Sequence, residues 1–308
     1  MAFLDKITSV ADILRPSTHA ILPLDKWIQS GVREWLVPVM RPTFRTLQWP
    51  VAKVLDGLQA VLLGVPFILL VVLAGYVAWR AKGFWLSAFT VVSLLLLDWL
   101  GLWAATMVTF AMILTAVAFC LIIGIPLGIL SARSDIWERS LRPLLDIMQT
   151  IPSFVYLVPI VMLFGVGMVP AVIATIIFAL PPLVRLTNLG IRQVDRELIE
   201  AGQAFGSTPR QILWEIQLPL ALRTIMTGVN QTLMLALSMA VIGALIGAGG
   251  LGLTVYTGLG RLDVGYATIG GLGIVLMAII LDRITEAFGS GDAARRRRAA
   301  ARDRGKEK

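Results

Sequence analysis

Long apolar runs separated by short polar connectors set the rhythm of this chain. Runs near the ~20 residues needed to cross ~30 Å of hydrocarbon fall at about 58–79, 84–103, 105–130, 147–166, 168–187, 224–247 and 265–284. The second ends at Asp98 and Trp99, residues suited to an interface. Basic residues gather in alternate connectors. Arg80 and Lys82 follow the first run, and Arg133, Arg139 and Arg142 follow the third. Arg185, Arg192, Arg196, Arg210 and Arg223 surround the long loop after the fifth, and arginines crowd the tail. The other connectors, near 104, 167 and 248–264, hold only Arg261, two residues from Asp263. Positive charge marks cytoplasmic loops, so the pattern predicts about seven transmembrane helices, N-terminus out and C-terminus in. Asp5, Asp12, Asp25, Glu34 and Asp56 partly balance the basic N-terminal stretch.

Composition supports lipid as the solvent. Of 308 residues, 57% are hydrophobic and 15% charged, where a soluble domain is nearer half apolar and a quarter charged. The mean hydropathy is +0.82. The net charge of +8 sits at span ends and in Arg295, Arg296, Arg297 and Arg298, which sets orientation and gives no nucleic-acid footprint. Cys120 is the sole cysteine, excluding an internal disulfide, and within an apolar run it reads as a small buried thiol. His19 is equally alone and makes no metal site. Residues 1–56 interleave Trp27, Trp35 and Trp49 with Lys26, Arg33, Arg41, Arg45 and Lys53, divided by Pro38, Pro42 and Pro50. Helices lying in the headgroup layer and a partly ordered tail both fit. No uninterrupted apolar core of a signal peptide is present there. The chain thus divides into an interfacial segment 1–56, peripheral spans 57–103, a core 104–288 and a basic cytoplasmic tail 289–308.

The stretch Asn188–Arg223 is too patterned for a simple connector. Asp195 can cap a helix whose Leu198, Ala201 and Phe205 share one face, and Gly206 can end it. Thr208, Pro209 and Gln211 then form a capping box with proline at the first helical position. That second helix runs through Ile212 and Ile216 to Leu218, where Pro219 is expected to break or bend it. A helix, a glycine bend and a helix suit docking into a groove on another protein, or resting on the lipid surface.

Other motifs lead elsewhere. Gly247, Gly249 and Gly252 satisfy G-x-G-x-x-G, but an apolar helix rather than a strand precedes them, so close packing or a flexible outer gate replaces nucleotide binding. No P-loop exists, because Gly305-Lys306 is followed by Glu307; ATP cannot be hydrolysed here by that chemistry. Pro126, Pro152, Pro159, Pro181 and Pro182 interrupt spans, where freed carbonyls need protein or a cavity. Gln149, Thr150, Ser153, Asn230, Gln231, Thr232 and Ser238 are polar groups beside or within spans. They are candidates for a translocation path, and hydrogen bonding between helices explains them equally. Arg185, Asp282 and Arg283 sit at inner span ends, and no span carries a charge at its centre, where an ion relay would need one. Paired acids, nucleophile–base sets and metal ligands of a membrane enzyme are missing.

Glu200-Ala201, Gly206 and Leu218-Pro219 resemble the EAA motif of type I ATP-binding-cassette (ABC) importer permeases, with Gly202 in place of the motif's alanine. Met148–Pro159, Pro181–Gln193, Asn230–Met239, Ile246–Gly252 and Gly270-Gly271 to Leu281–Arg283 are similar to the glycine betaine/proline importer permeases, over residues 58–288. The resemblance implies an all-α type I importer permease fold whose coupling helix, with Glu200, Ala201, Gly202, Phe205, Gly206, Leu218 and Pro219, docks in a cleft of a separate ATPase. It further implies a second permease copy, two ATPase copies carrying ATP and Mg, a solute receptor outside, and no cofactor or catalysis in this chain. An aromatic cage for the quaternary ammonium belongs to that receptor. The alternative is an ion-coupled secondary transporter, against which the missing central carboxylate counts.

Overall fold

Helices make up all the regular structure in the computed structural model, which describes residues 37–304 and a few single positions before them, with most side chains through Ala287. His19, Lys26, Arg33, Trp35 and residues 305–308 lie outside the described residues, as do the side chains of Arg41, Arg45 and Arg295–Arg298.

Helix α1 (Val37–Gly64) is followed by α2 (Phe67–Lys82) and α3 (Phe84–Trp99). Next come α4 (Trp103–Arg133), α5 (Asp135–Thr150), α6 (Leu157–Phe164) and α7 (Met168–Arg192). The last four are α8 (Arg196–Ala204), α9 (Pro209–Ile246), α10 (Leu251–Gly260) and α11 (Val264–Arg304). Among the described residues, α4, α7, α9 and the Val264–Ala287 part of α11 are long and apolar enough to cross a membrane.

The other three expected spans come out differently. The 58–79 run divides between α1 and α2, which meet at 107°. Pro66 stands at this corner with an extended backbone, φ −53° and ψ 135°, and a residue without an N–H cannot carry the ladder across it. The 147–166 run divides between α5 and the Ser153–Phe164 helical stretch at 104°. Ile151 there is extended, ψ 127°, because the ring of Pro152 disfavours the helical region for the residue before it. Helix α3, at 16 residues, is only ~24 Å long. Counting each bent pair as one crossing gives up to six among the described residues, with α3 a shorter apolar helix beside them.

Helix α7 is the centre. Of its apolar window 67% is buried within the chain, against 22% for α11. It packs on α4 along one side and α9 along the other. Lipid tails are as apolar as leucine, so helices in a bilayer associate through close packing rather than hydrophobic expulsion. Small residues supply it. On α4, a Cβ at Gly124 would stand 2.9 Å from Leu183, and one at Gly128 2.5 Å from Thr187 and 2.9 Å from the Val184 carbonyl. On the other seam, Gly190 meets Thr224 and Ala221, and Gly228 meets Leu183 and Leu186. Polar groups are satisfied locally: Thr106, Thr109, Thr115 and Thr175 each donate to the carbonyl four residues back. Thr232 also donates to Ala179 O across the α9–α7 seam. Cys120 is buried at the α4–α7 seam, its thiol 3.7 Å from Ile176 O.

One end of the bundle gathers the starts of α4, α7 and α10. Gly167 N donates to Ile246 O, and Leu251 N to Thr109 Oγ1. The Ile246–Gly252 run is tightly packed there. A Cβ on Gly250 would fall 2.3 Å from Thr109 Oγ1, and one on Gly252 2.1 Å from Ala240 O. Close packing therefore accounts for Gly250 and Gly252, whereas Gly247 takes a left-handed φ of +85° and a Cβ on Gly249 would meet nothing closer than 3.7 Å. Helix α1 crosses the same end. Gln48 Nε2 donates to Phe164 O at 2.9 Å, Phe44 packs edge-on against Phe164, and Phe67, past the corner, packs against Trp103.

Gly128→Ala is expected to destabilise the detergent-solubilised chain by about 1–3 kcal/mol through overpacking. Gly57→Ala, whose added Cβ meets nothing within 4 Å, is expected to leave it unchanged or slightly firmer. Thermal unfolding of the two variants side by side checks this.

Candidate functional site

At the opposite end from α1, α8 leaves α7 after only Gln193, Val194 and Asp195, with Val194 buried. Asp195 takes an extended N-cap backbone, yet its side chain makes no capping hydrogen bond; the expected side-chain cap is absent because that carboxylate is turned to solvent. The far end of α8 closes as the glycine reading anticipated. Gly206 has φ +82°, Ser207 N donates to Gly202 O, and Gly206 N to Gln203 O. This paired arrangement satisfies the last free carbonyls and needs a left-handed residue at its corner.

The restart at Thr208 carries both arms of the capping box: Gln211 N donates to Thr208 Oγ1, and Thr208 N to Gln211 Oε1. Pro219 does not break the helix that follows. A π-helical segment, Ile212–Gln217, precedes it, and α9 runs on to Ile246. Proline lacks the N–H owed to Glu215 O and its ring crowds that carbonyl; a wider turn relieves both.

Gly202 faces inward. A Cβ there would meet Ile216 Cδ1 at 2.7 Å, so the residue that departs from the EAA pattern lets α8 lie close on the π segment. The inward face of α8 is thus Ile199 and Gly202, while Leu198, Ala201 and Glu200 are exposed. Phe205, just past the helix, is 92% exposed, and Trp214 nearby is 61% exposed. The shared apolar face expected at Leu198, Ala201 and Phe205 therefore exists and points away from the chain. Leu218 is half-buried and Pro219 exposed.

Beside this loop lies an ionic cluster that the sequence did not single out. Arg192, in the last turn of α7, donates through Nη2 to Ser131 O at 3.0 Å and Asp135 Oδ1 at 2.7 Å, with Glu138 Oε2 at 3.0 Å. Its Nε donates to Asn188 Oδ1, and Asn188 Nδ2 donates to Glu138 Oε1. Arg185 pairs with Asp146. The Arg192 guanidinium, bonded to Asp135 at the very start of α5, holds that exposed carboxyl below the usual carboxylate range. A cavity of about 340 Å³ lies between these residues, lined also by Leu141, Arg142 and Leu145. The buried Ser131 Oγ, which also lines it, has no partner. The available signal was Asp135 and Glu138 in the first turn of an amphipathic helix, opposite basic residues on a different run.

The candidate path residues separate. Gln231 and Ser238 are exposed on one stripe of α9 with Thr227 and Met234. Asn230 turns aside and donates to Asp282 Oδ1 at 2.7 Å, and Thr232 is buried against α7. Gln149, Thr150 and Ser153 flank the α5–α6 corner, with Thr150 Oγ1 donating to Ile147 O. Asp282 and Arg283 join Glu286 and Lys82 in an ion-pair chain between α11 and α2.

Residues 124–291 match the family model described as binding-protein-dependent transport system inner membrane component. The chain is 53% identical over 284 residues to the glycine betaine/proline betaine transport system permease protein ProW of Escherichia coli K12, covering 92% of this chain and 80% of that one. It is 48% identical to the glycine betaine/carnitine transport permease protein GbuB of Listeria monocytogenes, covering 87% and 95%. With the glycine betaine transport system permease protein OpuAB of Bacillus subtilis the identity is 43%, covering 82% and 90%. Among solved structures, an inward-facing MetNI methionine ABC transporter chain superposes with TM-score 0.51 at 26% identity, over 61% of this chain and 93% of that one.

Thr208→Ala should remove the capping box and cost about 1 kcal/mol locally. Hydrogen exchange of the Phe205–Gln217 peptide is expected to quicken several-fold, with the α4 and α7 peptides unchanged.

Proposed function

This chain belongs to the binding-protein-dependent transport system inner membrane components, and from that membership we propose that it forms the path of an ATP-driven importer for glycine betaine and related compatible solutes. It is a multi-pass inner-membrane permease of the ABC importer type that works with a separate ATPase subunit and translocates rather than catalyses. The solute class follows the named substrates of ProW, GbuB and OpuAB. Family membership displaces the ion-coupled carrier.

The observation that carries the coupling role is the outward apolar face of α8. Leu198, Ala201 and Phe205 stand in solvent on a short helix fixed at its end by Gly206 and followed at once by the capped start of α9. A contiguous apolar patch on a braced helix marks a contact surface, and the cleft of an ATPase subunit is the partner that suits it. Glu200 lies alongside as the charged edge of the contact, and Leu218 and Pro219 lie within α9 just past its π-helical segment. This end is then cytoplasmic, with α1 on the outer face, where a solute receptor would deliver its cargo.

Two permease copies, two ATPases with their ATP and Mg, and one receptor complete the assembly. The Thr227, Gln231, Met234 and Ser238 stripe on α9 supports the second copy. A lipid-facing stripe would be wholly apolar, whereas this one alternates amide, hydroxyl and thioether and suits a path shared between two chains. Gln149, Thr150 and Ser153 would join it from the α5–α6 corner.

Affinity purification of the chain from native membranes in mild detergent is expected to recover an ATPase subunit in stoichiometric amount; an ATPase-free homo-oligomer would refute the assignment. Gly206→Val, forcing a β-branched residue to φ +82°, should lower uptake per ATP hydrolysed while the chain still inserts. Gly206→Asn, which tolerates that conformation, should retain coupling. Normal coupled uptake by the valine variant would show that α8 does not dock there.

A further inference from the structure

Resting on the coupling role proposed above, we propose that Arg192 is the positioning residue that passes movement of α8 into the membrane bundle, by clamping α7 to the end of α4 and to α5.

Three features converge on this side chain. It is the last residue of α7, with only three residues between it and α8, so displacement of the docked helix reaches it with little slack. One guanidinium binds three elements at once: a free carbonyl in the last turn of α4 at Ser131, the two acids in the first turn of α5, and Asn188 on its own helix. A planar fork of fixed donors can hold several acceptors together, which a single ammonium does less well. The Ser131 contact also places a cation where the α4 dipole is negative.

A cavity of about 340 Å³ opens between α5 and α7, beside the buried Leu145, which shares the apolar core with Val184, and the Arg185–Asp146 pair makes a second ionic tie seven residues up α7. Helix α5 is therefore held to α7 by ionic contacts toward both ends and by Leu145 between them, and its register follows α7. At its far end α5 turns the 104° corner into the Ser153–Phe164 stretch, where Gln149, Thr150 and Ser153 lie. A push on α8 thus tilts α7 and α5 together and shifts the corner that flanks the path. The exposed pairs add little to stability; their service is to keep two helices moving as one.

The test uses the complete complex of this chain with its ATPase and receptor in proteoliposomes, with solute uptake and ATP hydrolysis measured on the same preparation. Arg192→Gln is expected to lower uptake per ATP by roughly fivefold or more, with hydrolysis and assembly little changed. Arg192→Lys keeps the charge but not the fork, and should fall between. The exchanged pair Arg192→Glu with Glu138→Arg should regain part of the loss. An unchanged ratio in Arg192→Gln overturns the inference. So does failed assembly of Arg192→Gln combined with a wild-type ratio in Arg192→Lys, because Arg192 would then be structural only. A wild-type complex without ATP-driven uptake would instead overturn the functional reading, and this inference with it.

Discussion

In a bilayer the solvent is as apolar as the side chains, so helices gain nothing from hiding leucine and must gain from contact itself. The seams between α4, α7 and α9 meet that constraint with glycine. Gly124 and Gly128 bring α4 onto Leu183 and Thr187, and Gly190 and Gly228 bring α9 onto the other side of α7. Everything else hangs from this three-helix core. The turn at Ile246–Leu251 is tied to it through Thr109 and Gly167, and the opposite end carries α8 on the tip of the most enclosed helix.

The same economy explains the treatment of polar groups. Backbone freed within lipid has no water to turn to, so threonines along α4 and α7 bond their own helix, and Thr232 joins α9 to α7. Pro152 falls at a corner and Pro219 after a wider turn, whereas Pro126, Pro181 and Pro182, expected to interrupt spans, lie inside the continuous helices α4 and α7. The π segment before Pro219 lets α9 continue as one rod from the Gly206–Thr208 turn to the far end. Gly202, which differs from the usual alanine, is what allows α8 to lie against that rod, at Ile216.

The loop illustrates how legible the site was. Thr208, Pro209, Gln211 and Gly206 act through neighbours within three or four residues, so their roles could be read from order alone, and the structure shows them at work. Asp195 illustrates the limit: the backbone cap formed, but rotation of a free carboxylate into solvent is not written in residue spacing. Asn230 and Gln231 are adjacent and chemically alike, yet one binds Asp282 and the other stays open. A turn of 100° per residue separates their surroundings completely.

What the sequence determined by itself was the set of properties that depend on composition and near neighbours: a lipid-solvated, all-helical chain, the four long spans, the charge asymmetry of its connectors, and a helix–glycine–helix device with its caps. Tertiary structure decided the rest. It turned the 58–79 and 147–166 runs through right-angled corners, laid α1 across one end, and chose which face of α8 to leave bare. It also brought Arg192 to Ser131, Asp135 and Glu138, more than fifty residues away along the chain. The physical reason is range. Hydropathy, capping and proline chemistry act over one or two turns, whereas corners, clamps and seams depend on which distant surface arrives opposite, and only the packed bundle supplies that.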